Sequence, residues 1–87
     1  MLLTGLPNTS EDKEAYSAHG VNDFVRILRK GKAATTAGPN GAINVWLNDK
    51  GEYECAAMRF KATVSSGTFR TQSALRLWLR AWLREIE

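Results

Sequence analysis

The chain of 87 residues has little of the chemistry that most enzymes and metal sites use. It contains one cysteine, Cys55, and one histidine, His19. An intrachain disulfide and a metal site with several cysteine ligands are therefore excluded. Neither a G-x-x-x-x-G-K phosphate loop nor a G-x-G-x-x-G turn occurs. We expect no bound cofactor, no metal and no enzymatic activity.

Long apolar runs are missing as well. The beginning, from Met1 to Pro7, lacks the basic region and the apolar stretch of a secretory signal. The most apolar segment carries three arginines and is shorter than the ~20 residues that cross a bilayer. A lone cysteine in a short chain also fits a reducing compartment. The sequence predicts a cytoplasmic protein without membrane contact.

Acidic residues are absent from one long stretch. Six basic residues and no acidic residue lie between Cys55 and Arg84, whereas the whole chain has twelve Lys and Arg against nine Asp and Glu, a net charge of 12 − 9 = +3. A basic half of this kind is typical of proteins that meet phosphates or an acidic surface. An ordinary solvated face is the alternative interpretation.

The last third of the chain predicts an amphipathic helix that supplies much of the core. At about 100° per residue, one face carries Leu75, Leu79, Trp82 and Ile86. Trp78 and Leu83 lie on the borders of this face, and three arginines lie opposite. Thr71 or Ser73 is the expected N-cap. The exposed side of the helix is expected to face water or an acidic partner.

Alternation of apolar and polar residues predicts a strand over Ile43 to Asn48, with Ile43, Val45 and Leu47 in the core. A turn at 48–51 leads to a return strand over 52–61, for which we expect Ala56, Met58 and Phe60 to be buried. A third strand covers Val64 to Phe69. These segments predict a three-stranded antiparallel meander packed on the C-terminal helix.

The N-terminal half is less regular. Residues 1–8 are expected to be an irregular leader and residues 9–19 a short helix. Residues 22–30 fit either a helix or an edge strand, and we favour the helix. Residues 32–42 are small, polar and glycine-bearing, which predicts a flexible loop. The expected fold class is α+β, with residues 1–87 in a single domain and one or two short N-terminal helices.

The sheet and the helix together suggest a binding surface. The alternation that buries Val45 turns Trp46 to the opposite face, which it would share with Tyr53, Arg59 and Lys61. Arginine and lysine neutralise phosphates, and an aromatic ring stacks on bases. Packing of the N-terminal helices on this face would make Trp46 and Tyr53 core residues instead. The candidate binding residues are Trp46, Tyr53, Arg59, Lys61, Arg70, Arg76, Arg80 and Arg84.

The segment from Gly67 to Trp78 resembles the end of the DNA-binding domains of tyrosine-recombinase arm-binding modules and of plant ethylene-response factors. Those domains have a strand that ends in Gly-Thr-Phe, one residue and Thr, before an alanine-rich helix with a buried aromatic residue. The matching residues are Gly67, Thr68, Phe69, Thr71 and Trp78, and the hairpin from Gly51 to Lys61 is similar to the preceding one in that family.

The resemblance covers about residues 43 to 84. It implies a sheet that enters the major groove of DNA, with contacts from Trp46, Arg59 and Lys61. The chain departs from the family in its asparagine-rich first strand, where the family has arginines, and in placing Glu52 and Glu54 where phosphates would lie.

Two functional hypotheses follow. The first is a non-enzymatic module that binds DNA or a nucleic-acid-bound protein complex through a basic sheet and helix surface. The second is an inhibitor encoded by a phage or another mobile element, similar in size and outline to anti-CRISPR proteins, which acts on an acidic protein surface. Leu77 lies on the solvent-exposed side of the predicted helix, where a large apolar side chain suggests a protein contact. A homodimer is therefore considered with the second hypothesis.

Overall fold

The computed structural model describes residues 15–87, which form one mixed sheet of five strands with two helices. The elements in chain order are β1 (Ala15–Ser17), α1 (Val21–Arg29), β2 (Ala33–Gly38), β3 (Gly41–Leu47), β4 (Tyr53–Arg59), β5 (Ala62–Phe69) and α2 (Gln72–Glu85). The spatial order of the strands is their chain order. β1 and β2 are parallel and joined through α1, whereas the other neighbours are antiparallel.

The α+β class is confirmed, but the expected three-stranded sheet is too small. Residues 32–42, predicted as a flexible loop, contain β2 and its turn into β3. Its small residues, Ala33-Ala-Thr-Thr-Ala-Gly38, lack the large apolar side chains that make an alternation visible. Residues 15–17, predicted as helix, form β1 instead. The expected leader over residues 1–8 lies outside the described residues.

The main core lies between the sheet and both helices. Phe24 and Leu28 of α1 and Leu75 and Leu79 of α2 pack with Val45 and other sheet residues in one buried cluster. The predicted helix over 22–30 is confirmed as α1, and the predicted C-terminal helix is confirmed as α2. Full burial of such a side chain contributes roughly 1.5–3 kcal/mol, so the two helices anchor the sheet on this side.

The pairing of β4 with β3 differs from the sequence-based prediction. Val45 pairs with Cys55 and Ile43 with Ala57, so Cys55 and Ala57 face the helices. We expected Ala56, Met58 and Phe60 there. β4 has apolar residues at both odd and even positions, and a shift of one residue in the pairing turns every side chain to the other face of the sheet. The sequence of β4 alone therefore does not determine its register.

The central strands are buried on both faces. Ala56 and Met58, on the face away from the helices, are 5% and 9% exposed. Asn44 is also buried there, and its side-chain oxygen accepts a hydrogen bond of 2.8 Å from the Thr35 hydroxyl. The buried polar group is thus paired, as burial requires.

α2 begins with a side-chain cap, and its C-terminal end contacts the β2–β3 turn. The Thr71 hydroxyl accepts a hydrogen bond from the Ala74 amide at 3.2 Å, which confirms one of the two predicted caps. At the other end, the Asn40 amide donates to the Ile86 carbonyl at 3.0 Å. Helix ends leave carbonyl groups without partners in the helix, so the β2–β3 turn satisfies part of this requirement.

Among residues 15–87, no helix is long and apolar enough to span a membrane.

Candidate nucleic-acid interface

The two aromatic residues of the predicted binding surface lie on opposite faces of the sheet. Trp46 pairs with Glu54, whereas Tyr53 pairs with Leu47 and borders the core beneath the helices. Trp46 is 2% exposed, and its indole N–H donates to a Glu54 carboxylate oxygen at 3.2 Å. The outward aromatic platform expected from the sequence is therefore wrong, and the core alternative fits these two residues better.

Trp46 belongs to a small buried cluster with Ala33 and Ala56. Beside it lies a cleft of about 320 Å³, bordered on β5 by Thr63, Ser66 and Thr68. None of the described residues that line the cleft has a basic side chain. These residues offer hydroxyl groups and backbone but no counter-charge for a phosphate.

Arg59 joins the end of β4 to the β2–β3 turn and to the C-terminal end of α2. Its Nε donates to the Asn40 carbonyl at 3.1 Å, and its Nη2 donates to the Glu85 carbonyl at 3.2 Å. A cation at a helix C-terminus also interacts favourably with the helix dipole. The guanidinium group is thus engaged within the fold. Lys61 is exposed at the β4–β5 turn.

Arg70 and Arg76 are also engaged. The Arg70 Nε lies 3.2 Å from a Glu52 carboxylate oxygen. Hydrogen bonds from Asn48 and then from Arg70 lower the pKa of that carboxyl group. Arg76 donates to the Asn22 side-chain oxygen at 2.7 Å and so joins α2 to α1.

Arg80 and Arg84 differ from these arginines. Both are exposed on the outer side of α2, and the side chain of neither forms a hydrogen bond or an ion pair with another residue in the described part of the chain. Their spacing of four residues puts them on one stripe of the helix. Leu77, 67% exposed, lies on the same outer side. With Lys61 at the β4–β5 turn, these two arginines are the predicted binding residues whose side chains have no partner in the described part of the chain, and the arginines are the two that share one element.

A second basic group, on α1 and in the loop between α1 and β2, was not predicted from the sequence. Arg26, Lys30 and Lys32 border a cavity of about 270 Å³ together with Tyr16. The Lys32 ammonium lies 5.9 Å from the centre of the Tyr16 ring. The sequence signal for this group is the basic run Arg26-x-x-Arg29-Lys-Gly-Lys32.

Asp23, on the same helix as Arg26, is paired within the fold. The Asp23 carboxylate accepts a hydrogen bond from the His19 backbone amide at 2.9 Å and forms an ion pair with Arg26. The His19 bond, followed by the Arg26 interaction, lowers the pKa of Asp23. Within residues 15–87 there are eleven Lys and Arg and six Asp and Glu, so the net charge of this part is 11 − 6 = +5.

Phe60 lies at the tip of the β4–β5 hairpin and is fully exposed, which contradicts its predicted burial. Arg59 pairs with Ala62, and the two residues between them, Phe60 and Lys61, have φ angles of 51° and 66°. Two-residue turns with positive φ favour Asn-Gly, so neither residue is the usual choice for this turn. The tip presents an aromatic ring beside an ammonium group.

The described residues offer little for catalysis. No group of three or more His, Cys, Asp or Glu residues within 15–87 could hold a metal ion. Cys55 is buried, and its desolvation, with a smaller contribution from Glu54, raises the pKa of its thiol to about 12. A thiol of this kind is almost entirely protonated at neutral pH and is a poor nucleophile.

Comparison of the chain with protein-family models, with curated proteins and with solved structures gives no match. The function is therefore argued from the geometry alone.

Proposed function

We propose that the chain is a non-enzymatic binding module that holds DNA, or the nucleic acid of a nucleoprotein complex, on the outer surface of its helices. The observation that carries the proposal is the exposed pair Arg80 and Arg84, which have no partner in the described part of the chain. Unpaired guanidinium groups are free to form charge-assisted hydrogen bonds with phosphates, whereas paired ones are already engaged.

The charge balance supports the same surface. Of the six acidic residues in 15–87, Asp23 and Glu52 are paired with arginines, and Glu54 accepts the Trp46 hydrogen bond. The helices therefore present more uncompensated positive charge than the sheet. Relative to the sequence-based hypothesis, the proposed interface moves from the sheet to α2.

The first prediction tests this interface with fluorescently labelled duplex and single-stranded DNA, titrated at about 50 and about 200 mM salt. We expect affinity to fall steeply with salt, because each neutralised phosphate contributes about 0.9 to the logarithmic slope. The variant R80Q/R84Q should bind more weakly at low salt and reduce the slope by about two. Glutamine retains helix propensity at these exposed positions.

The control variant K50Q/R70Q removes the same charge near the β3–β4 turn. It should bind almost as the original chain does. Equal losses of DNA affinity in the two variants would mean that net charge alone governs binding. The absence of DNA binding by the original chain at low salt would refute the proposal.

A protein inhibitor of mobile-element type is the second candidate function, and Phe60 is the observation that favours it. An exposed aromatic residue on a rigid turn is typical of the anchors that fill a partner's pocket. If the chain is an inhibitor, substitution of Phe60 should abolish binding of its partner protein, whereas R80Q/R84Q should still bind that partner. A nucleic-acid module would show the larger effect in R80Q/R84Q.

A further inference from the structure

β5 is the edge of the sheet, and its outer side has no strand partner within residues 15–87. In an antiparallel ladder, alternate residues of an edge strand direct their N–H and C=O groups away from the sheet. β5 is eight residues long, whereas the opposite edge strand, β1, has three. The molecule therefore carries one long edge and one short edge.

We propose that β5 pairs antiparallel with β5 of a second copy of the chain, so that the two sheets continue into one across a two-fold axis. The proposal is independent of the nucleic-acid function. It concerns the regular stretch Ser65–Phe69, because the pairing with β4 shifts by one residue between Ala57 and Met58 and Val64 is the extra residue.

The chemistry of this stretch favours pairing. Natural edge strands are usually blocked by proline, by charged side chains or by a bulge. Ser65–Phe69 contains no proline and no charged residue. The bulge lies before this stretch, at Val64, and leaves it regular.

The stretch is also complementary to itself. Full antiparallel overlap of Ser65–Phe69 with its copy puts the two-fold axis at Gly67. Each Ser66 then lies opposite Thr68 of the second copy, so only small hydroxyl side chains meet there. The nearest following cation, Arg70, is paired with Glu52, which reduces repulsion between the copies.

Apolar groups lie along the edge and on the helix above it. Val64 of β5 is 48% exposed, and α2, which contacts β5, carries the exposed Leu77. Trp78 and Trp82, with ring centres 6.1 Å apart, are only half-buried on the same helix. A second copy would cover part of this surface, and obligate or stable dimers need such apolar area beyond the strand pairing.

The second prediction concerns the oligomeric state, measured by sedimentation velocity from about 1 to 100 µM protein. We expect the original chain to form dimers as concentration rises. The variant S66K/T68K places ammonium groups directly opposite one another and should weaken dimerisation ~tenfold or more. Both side chains are exposed on the face away from the helices, so the variant should fold.

The variant S17K/A37K adds the same charge at exposed positions of β1 and β2, the two strands farthest from β5, and should dimerise nearly as well as the original chain. Circular dichroism melting checks that both variants are folded. Hydrogen exchange on the original chain provides a measurement without mutation, because β5 peptides should exchange more slowly at high than at low concentration. A monomer over the whole range, or equal weakening by both variants, overturns the proposal.

Discussion

Phe60 and Lys61 adopt left-handed backbone conformations that residues with a Cβ rarely take. The left-handed conformation costs about 1–2 kcal/mol per residue, and the Phe60 ring, being fully exposed, recovers none of this through packing. Strain that folding does not explain is evidence for a role outside the fold. The strained turn and its exposed ring support the second candidate function, in which Phe60 contacts a partner protein.

The third prediction follows at this residue. The variant F60N/K61G installs the usual sequence for a turn with two positive φ angles. We expect the free energy of unfolding, measured by urea titration, to rise by about 1 kcal/mol. Binding of the partner should weaken at the same time. A variant that is less stable would contradict the interpretation of the turn as strained.

The fourth prediction concerns Cys55, whose thiol has a pKa raised to about 12 by burial. Because the ordinary pKa of 9.0 applies in the unfolded chain, the unfolded state ionises first as pH rises. The contribution of the protonated Cys55 thiol to the free energy of unfolding is therefore complete below about pH 9 and is lost as the pH rises toward 12. We expect the urea midpoint to fall above pH 9 for the original chain.

C55A serves as the control for this prediction, because its midpoint should fall less over the same pH range. Labelling of the native thiol with a disulfide reagent at pH 8 should also be slow and should accelerate when urea opens the fold. Immediate labelling of the native protein would contradict the buried position of Cys55.

The junction between α2 and the β2–β3 turn shows how closely two elements approach. Gly38 lies under the end of the helix, where an added Cβ would be 2.3 Å from the Ile86 carbonyl oxygen. The Asn40 side chain donates to the Glu87 carbonyl at 2.6 Å beside it. Since the obstructing atom belongs to the backbone, a side chain at position 38 must displace the helix end.

The fifth prediction is that G38A lowers the free energy of unfolding by about 1–3 kcal/mol, as overpacking usually does. The measurement is urea unfolding followed by tryptophan fluorescence. A37S, a substitution at the exposed neighbouring position, should change stability by less than about 0.5 kcal/mol. A G38A variant as stable as the original would show that α2 does not need this close approach.

Elements with a strong period could be predicted from the sequence, and elements without one could not. α2 and β3 carry large apolar residues at helical and alternating spacing, and both were found with nearly the expected bounds. β2 is built from Ala, Thr and Gly, and β1 has three residues, so neither has a recognisable pattern. The face of β4 depends on pairing with β3, which is a tertiary property.

The candidate site was predictable in part for the same reason. The exposed stripe of Arg80 and Arg84 follows from the helix period, and the structure puts both on the outer side of α2. The engagement of Arg59 with Asn40 and Glu85 joins residues 19 and 26 positions apart. Contacts at that separation have no local sequence signal, so the sequence could not show which arginines are occupied.

At the scale of the whole molecule, the helices and the sheet present different surfaces. The helix side carries Arg80 and Arg84 without partners in the described part of the chain. On the far side of the sheet, Trp46, Glu54 and the hydroxyl side chains of β5 border a cleft, and Glu54 is the one charged residue among the described residues that line it. A dimer through β5 would bring two such helix layers together, and two-fold symmetric proteins commonly bind two-fold symmetric DNA sites.

The sheet described above has the same strand order in space as in the chain, and this order bears on how the molecule folds. Each strand can join the one made just before it, so most contacts are local and the entropy lost in closing loops is small. The bond between Asn40 and Ile86 is an exception, as it spans 46 residues. We therefore expect the hairpins to form early in folding and the end of α2 to pack against the β2–β3 turn in a late step.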